Sequence, residues 1–404
     1  MNFEYFIAKR IAFNNTKSLS KIIIKVASAA TALSIAILIC AVVIVEGFQS
    51  EIKSKIFGFW GHSQVIHYNA SSSAEAIPFV LNDSIKSTWD NDANIKHYQS
   101  FVEKAGIIKS KGEIEGIVFK GVGKDFDWNF IQNNLRSGNI INVEDPDNRK
   151  VLLSKTIAER LNLNVGDAIH VYFMERKSIG KKLTIEGIYH TGLAEYDKIF
   201  CIVDNRFLQE INQWHADQIG GVQIFFKDAE NLKKHDEKLF RQLPTFLKSK
   251  HIIEMYPNIF DWVNLTQTNK YLILGLVIIV AAFNMMTVLL ILILERVNMI
   301  GTLKAMGMSS WSIQKVFLYH ASYIILIGLL IGNGVGLGIA LTQEKWEWIK
   351  MNESAYYLDH VPIAFDWTKV IMINIIAVIV INVLLIIPSY LVQRISPIKA
   401  IRFD

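Results

Sequence analysis

The sequence predicts an α+β membrane protein, with four transmembrane helices and one large α+β domain inserted between the first and the second. Three observations lead there. Four stretches of the 404-residue chain contain no Asp, Glu, Lys or Arg: Val26–Val45 (20 residues), Tyr271–Leu294 (24), Val316–Gln343 (28) and Val370–Gln393 (24). Each is long enough, at about 1.5 Å per helical residue, to cross a hydrocarbon core of roughly 30 Å. The 221 residues from Gln49 to Asn269 instead have the composition of a water-soluble domain, enough for one large core or two small ones. Finally, the balance of charge alternates from one loop to the next. Lys9, Arg10, Lys17, Lys21 and Lys25 precede the first stretch against Glu4 alone. The loop holding Arg296, Lys304 and Lys315 has one acid, Glu295, and the tail has Arg394, Lys399 and Arg402 against Asp404. Residues 344–369 carry five acids to three lysines. The positive-inside rule then places both termini and the 295–315 loop in the cytoplasm, and the large domain outside.

The elements follow in order. Residues 1–21 read as a cytoplasmic interfacial helix, with Phe3, Phe6, Ile7 and Phe13 on one face and Lys9 and Arg10 available to headgroups. The first span is expected over 22–48. It is too long and too far from Met1 for a cleaved leader, and Cys40 follows Ile39 rather than a small residue, so a permanent anchor is expected. Phe48, Ile52 and Ile56 repeat every four residues and predict that the helix continues outward as a stalk. The domain, with its stalks, occupies 49–269. Strand-like runs lie at 62–68, 115–122, 168–174, 182–189, 199–203 and 221–226, alternating with helical stretches at 154–163, 205–214 and 227–243. The second span is expected at 270–294, the third at 316–343, an outer loop at 344–369, the fourth span at 370–393 and a tail at 394–404. In the third span Gly328, Gly332 and Gly336 recur every fourth residue, a face another helix can approach closely. Pro388 should kink or end the fourth span. Trp346, Trp348, Tyr356, Tyr357 and Trp367 fit an interfacial aromatic belt.

Residues 295–315 are the polar interruption with the most internal design. Met299, Ile300, Leu303 and Met306 fall at i, i+1, i+4 and i+7, one face of a short helix. Gly307 suits the left-handed position just past a helix end, and Ser309 or Ser310 can cap the next helix. A loop that merely turns the chain round needs none of this, so the segment is read as a docking element for a cytoplasmic partner.

Signatures of catalysis are missing. Gly123-Lys124 and Gly180-Lys181 lack the upstream glycine of a phosphate loop, so ATP hydrolysis is expected on another chain. His62 and His67 sit five apart, on opposite faces of a strand, with no ligand pair beside them, and read as edge-strand positions rather than a metal site. His320, near the cytoplasmic end of the third span, reads as a snorkelling or helix-bonding residue. Cys40 and Cys201 lie in different compartments and no disulfide is expected. The net charge of +5 is explained by topology rather than by nucleic acid.

FEYFIAKRI (Phe3–Ile11), VEGFQSEIKSKIFGFWGH (Val45–His62), TGLAEYDK (Thr191–Lys198), the run Val280–Phe317, YYLDHVPIAFDW (Tyr356–Trp367) and SPIKAIR (Ser396–Arg402) together resemble the FtsX-like permeases, and more closely their LolC/LolE lipoprotein-releasing branch. The resemblance implies a MacB-type periplasmic core domain and a non-catalytic permease subunit of an ABC transporter in a bacterial inner membrane. It implies as partners a separate LolD-like ATPase that binds the ATP and magnesium, a second permease subunit, lipoprotein cargo and a soluble LolA-like periplasmic carrier. No cofactor is expected on this chain. The ATPase-coupling element maps to Glu295, Arg296, Gly301, Leu303, Lys304, Ala305, Gly307 and Met308, and the lipid cavity to Val42–Phe48 and Asn264–Phe283, with Phe48, Ile52, Ile56 and Phe283 as stalk and cavity candidates. The same loop would serve a mechanotransmission permease that controls a cell-wall hydrolase or exports a small molecule. A membrane sensor would need a cytoplasmic output domain, and the inside segments are too short for one. An intramembrane enzyme is disfavoured because the spans lack Asp and Glu.

Overall fold

Apolar length sets the first half of the architecture. The computed structural model describes residues 3–13, 19–70, 76–110, 112–147, 149–173, 179–229 and 231–395. The chain divides into a helical unit (Met1–Ser50, Trp262–Lys350 and His360–Asp404) and a β-sheet unit (Glu51–Asp261 and Met351–Asp359). The SPIKAIR segment, Ser396–Arg402, lies outside the described residues.

The helices of the first unit are α1 (Phe3–Phe13), α2 (Leu19–Trp60, whose last turns belong to the β-sheet unit), α3 (Pro257–Glu295), α4 (Val297–Ala305), α5 (Ser310–Trp346), α6 (Trp367–Leu384), α7 (Ile386–Ser389) and α8 (Leu391–Arg394). Four helical stretches, Ile24–Trp60, Pro257–Glu295, Ser310–Trp346 and Trp367–Arg394, are long and apolar enough to cross a membrane. The fourth breaks between Leu384 and Ile386, just ahead of Pro388, because proline lacks the N–H that would continue the ladder. The glycine repeat of α5 is a contact face. A Cβ on Gly328 would lie 2.7 Å from Thr31 Cβ, on Gly332 2.6 Å from the Ala32 carbonyl oxygen, and on Gly336 3.0 Å from Ala36 Cα. Small residues on both helices therefore let the backbones of α2 and α5 approach. Gly334 and Gly338, on another face of α5, meet nothing within 4 Å among the described residues. Polar side chains join α5 to α6: the amides of Asn333 and Asn374 bond reciprocally at 3.0 Å, and Ser322 donates to Asn382 Oδ1 at 2.8 Å.

The second unit contains β1 (Ser63–His67), β2 (Phe79–Val80), β3 (Ile95–Ser110), β4 (Glu113–Val122), β5 (Leu135–Gly138), β6 (Lys150–Ser154), β7 (Ala168–Phe173), β8 (Ile179–Tyr189), β9 (Phe200–Asp204), β10 (Gln218–Ile219), β11 (Gly221–Phe226) and β12 (Leu247–His251). Ten of them form one sheet, with β7 bridging β3 and β8, while β2 and β10 pair separately. Strand β3 is the hinge of this topology. Its first half pairs with β11, and its second half turns the same edge to β7. Because β4, β9, β6 and β8 follow from its other edge and β8 returns to β7, the six strands β3-β4-β9-β6-β8-β7 close into a ring. Closure removes exposed edges.

Side-chain alternation fills two cores from the same strands. Val151 and Leu153 of β6 and Cys201 and Val203 of β9 point into one cluster with Phe119, Phe173 and Phe207. Leu152 and Ile202 point the other way, into a cluster with Ile131, Ile141 and Tyr189. A strand buried on both faces reads as a continuous apolar run, which is why β9 was legible. Strand β3, the longest, was not expected: IKHYQSFVEKAGIIKS carries charge along its length because several of its side chains are only half-buried. Strands β5, β6 and β12 also escaped notice, each being five residues or fewer.

The expectation that His62 and His67 mark an edge strand is corrected. Strand β1 is interior, flanked by β11 and β12. His62, just before it, accepts from the Phe226 amide at 2.8 Å and stacks on Phe226. Burial holds this imidazole down at about 4, so it is neutral in the fold.

Candidate functional site

The hairpin between α3 and α5 is built by two local devices. At the end of α4, Gly307 takes φ +89°, its N–H donates to the Lys304 carbonyl at 3.0 Å, and the Met308 N–H reaches back to the Leu303 carbonyl at 3.0 Å. This pair of bonds is a Schellman ending, which requires a left-handed residue where glycine sits. Two residues on, Ser309 Oγ accepts from the Ser312 amide at 3.2 Å and caps α5. Helix, stop and restart therefore occur within a few residues, and the turn is rigid.

The hairpin has an inner and an outer side. Ile300 is fully buried and Met299, Leu303 and Met308 pack on the helical core. Gly301 is buried as well. Lys304 also turns inward: its Nζ donates to the carbonyls of Val392 (2.8 Å), Gln393 (3.2 Å) and Ile395 (2.9 Å), satisfying the orphan acceptors at the end of α8. Glu295, Ala305 and Gly307 lie on the exposed side, and Arg296 is half-buried. Met306 departs from its predicted place. It is 78% exposed, because α4 ends at Ala305 and the cap residue no longer follows the helical period. Trp311 is 51% exposed in the first turn of the next helix, with Lys315 Nζ 5.8 Å from its ring. The loop thus offers solvent two large apolar side chains that sequence periodicity did not assign to this side.

Of the stalk and cavity candidates, Phe48 is buried edge-on against Trp262 in the helical unit, with centroids 5.1 Å apart, and Ile52 and Ile56 are fully buried in the β-sheet unit. Phe283 alone among the four is exposed, at 62%. His320 is buried on α5.

Two polar ties were not foreseen. In the helical unit, Glu46 of α2 receives Lys270 of α3 at 2.5 Å on one oxygen and Lys369 of α6 at 2.6 Å on the other, joining three helices through one carboxylate. In the β-sheet unit, His190 lies between two acids: Nδ1 is 3.0 Å from Asp197 Oδ2 and Nε2 is 2.7 Å from Glu353 Oε1. Asp197, buried in the TGLAEYD turn, also accepts from Thr191 Oγ1 (2.7 Å) and from the amides of Thr191 and Gly192 (3.1 Å each). Glu353 belongs to the short segment between the third and fourth spans, which folds with this unit. Lys55 Nζ holds the same segment through the Tyr357 carbonyl at 3.1 Å. The acids push the His190 imidazole above its ordinary value, Asp197 foremost.

A helical unit with four membrane-length helices, a closed α+β domain inserted after the first, and a polar hairpin after the second together give the chain the architecture of a multi-span membrane protein. Residues 26–235 match the MacB-like periplasmic core domain and residues 271–397 the FtsX-like permease C-terminal domain. The first match covers more than half of the chain, which therefore belongs to the FtsX-like, MacB-type ABC transporter permeases.

Within them it is similar along nearly its whole length to LolC and LolE proteins. It is 22% identical to the lipoprotein-releasing system transmembrane protein LolC of Xylella fastidiosa, over 92% of either chain. The identity is also 22%, again over 92% of each, with LolE of Haemophilus influenzae. LolC of Neisseria meningitidis serogroup B is 22% identical over 94% of each. Among solved structures, the periplasmic region of MacB from Actinobacillus actinomycetemcomitans overlaps 50% of this chain and 95% of its own, at 15% identity and a TM-score of 0.35.

Proposed function

We propose that this chain is the transmembrane subunit of an ABC transporter that extracts lipoproteins from a bacterial inner membrane and hands them to a soluble, LolA-like periplasmic carrier. The observation that carries the reading is the end-to-end similarity to permeases named for lipoprotein release, over 92% of the chain. The hairpin fits the role. A preformed turn with Met306 and Trp311 outermost is a seat for a separate, LolD-like ATPase, which would bind the ATP and magnesium; this chain would bind no cofactor. Glu295, Ala305, Gly307 and Met306 would meet the partner. Gly301, Leu303 and Lys304 would hold the hairpin to the fourth span, so that a push on it moves that span. Both termini and the hairpin would be cytoplasmic and the β-sheet unit periplasmic.

The β-sheet unit joins the helical unit through four chain crossings, at 50–51, 261–262, 350–351 and 359–360. Motion of all four spans would therefore reach it. A second permease subunit, identical or paralogous, would complete the lipid path along the exposed face of α3 around Phe283.

Purification of the tagged chain from its native membranes in mild detergent tests this. An ABC ATPase and triacylated proteins should co-purify, and recovery without any ATPase would contradict the transporter reading. Co-purification of the ATPase with a cell-wall hydrolase, and without lipoprotein, would favour mechanotransmission instead.

A further inference from the structure

A cavity of about 560 Å³ opens within the β-sheet unit, where the last residues of α2, strands β3, β4 and β12, and the TGLAEYD turn meet. Its wall is aromatic. The rings of Trp60, Tyr196 and Tyr256 lie 5.5–5.7 Å from one another, edge-on at 82° and 72° and stacked at 30°. The chemistry behind the wall is unusual. Glu103 lines the cavity with Oε1 buried and without a hydrogen-bond partner among the described residues. Its cross-strand neighbour Lys120 lends it favourable charge, partly offsetting the burial that pushes the carboxyl up, but gives it no hydrogen bond: that ammonium donates to the Phe59 carbonyl and sits 4.4 and 5.0 Å from the Phe59 and Trp60 ring centres. An unpartnered carboxylate oxygen destabilises the fold, so its retention in an open cavity points to an occupant that donates to it.

The rest of the lining says what sign that occupant has. Glu195 and Glu254 add two more carboxylates, against Lys248 and Lys250. Lys248 is already committed, donating to the Tyr68 and Ala70 carbonyls. Carboxylates behind aromatic faces suit a donor-rich organic cation, which gains both charge-assisted bonds and ring contacts.

We propose that this cavity is a binding site for the basic side chain, arginine or lysine, of an extended peptide. The guanidinium or ammonium bonds to Glu103, and its methylene stem lies along Trp60, Tyr196 and Tyr256. The volume holds one long side chain and the flanking backbone. The assignment does not depend on the transporter reading, since it follows from the cavity alone.

The test uses the full chain in detergent and three acetylated, amidated pentapeptides, Gly-Gly-X-Gly-Gly with X arginine, norleucine or glutamate, titrated by calorimetry. The arginine peptide should bind at least about tenfold more tightly than the norleucine peptide. The isosteric Glu103→Gln should abolish that preference, while Glu103→Asp, which keeps the charge, should retain part of it. Far-ultraviolet dichroism checks that each variant is folded. Equal affinity for arginine and norleucine, tightest binding of the glutamate peptide, no binding of any peptide at 10-millimolar order, or an unchanged preference in Glu103→Gln would each overturn the assignment.

Discussion

The two polar ties, Glu46 with its lysines and His190 with its acids, do the same mechanical job with opposite chemistry. Each joins chain segments far apart in sequence: Glu46 bonds residues 224 and 323 positions away, and His190 grips Glu353 from the other half of the chain. The Glu46 tie uses groups that are ordinarily charged across the whole range in which a bacterium lives. The His190 tie uses the one side chain whose charge changes within that range. The helical unit is therefore locked permanently, whereas the segment 351–359 is held by a grip that loosens with pH.

The largest effect should come from breaking the permanent lock. Glu46→Ala leaves Lys270, 4% exposed, buried without its carboxylate and should cost about 3–5 kcal/mol, read by thermal unfolding of the full chain in detergent. A loss below about 1 kcal/mol would show that Lys270 finds another acceptor and that the lock is incidental.

Next comes Asp197→Ala, which strips partners from the Thr191 and Gly192 amides as well as from His190. About 2–3 kcal/mol should be lost from the β-sheet unit, measured the same way. The adjustable tie should then show itself by pH alone. Because the folded His190 value is raised, its stabilisation is fully present below the ordinary histidine value of about 6.5 and disappears as pH rises through the folded value. Hydrogen exchange in residues 351–359 should accelerate over that rise, and Glu353→Gln should flatten the profile. Equal pH dependence in Glu353→Gln and the parent would separate the loop from the histidine. His62 slopes the other way: held near 4, it withdraws stability as pH falls from about 6.5.

The smallest effect tests the close approach of α2 to α5 within the same helical unit. Gly336→Ala places a methyl 3.0–3.1 Å from Ala36 backbone atoms and should cost about 1–2 kcal/mol. Gly338→Ala, facing open space on the same helix, should be neutral or stabilise by up to about 1 kcal/mol through helix propensity. Equal effects in thermal unfolding would remove the distinction between the two faces.

These contrasts mark what the sequence could and could not reveal. The spans were legible because lipid demands unbroken apolar length, and the hairpin because a Schellman ending demands glycine and a helix start rewards serine. Four-residue spacing singled out Gly328, Gly332 and Gly336, though composition alone could not separate them from Gly334 and Gly338. Met306 was grouped on one face with Met299, Ile300 and Leu303 because periodicity assumes the helix continues, and it stops one residue earlier. Strand β3 was hidden because its half-buried, charged side chains give no clean alternation. Glu46, His190 and Glu103 were invisible for a deeper reason: each owes its role to partners supplied by other strands and helices, and no local pattern encodes those.

The docking role of the 295–315 hairpin is tested most directly at Met306, the most exposed large apolar side chain in it. Met306→Glu touches no core contact and should leave thermal stability unchanged. The permease–ATPase complex, reconstituted in liposomes with a lipoprotein and its soluble carrier, should then lose most of its stimulated ATP hydrolysis and its release of lipoprotein together. Full release by Met306→Glu, with normal complex yield, would contradict the hairpin as the seat of the ATPase.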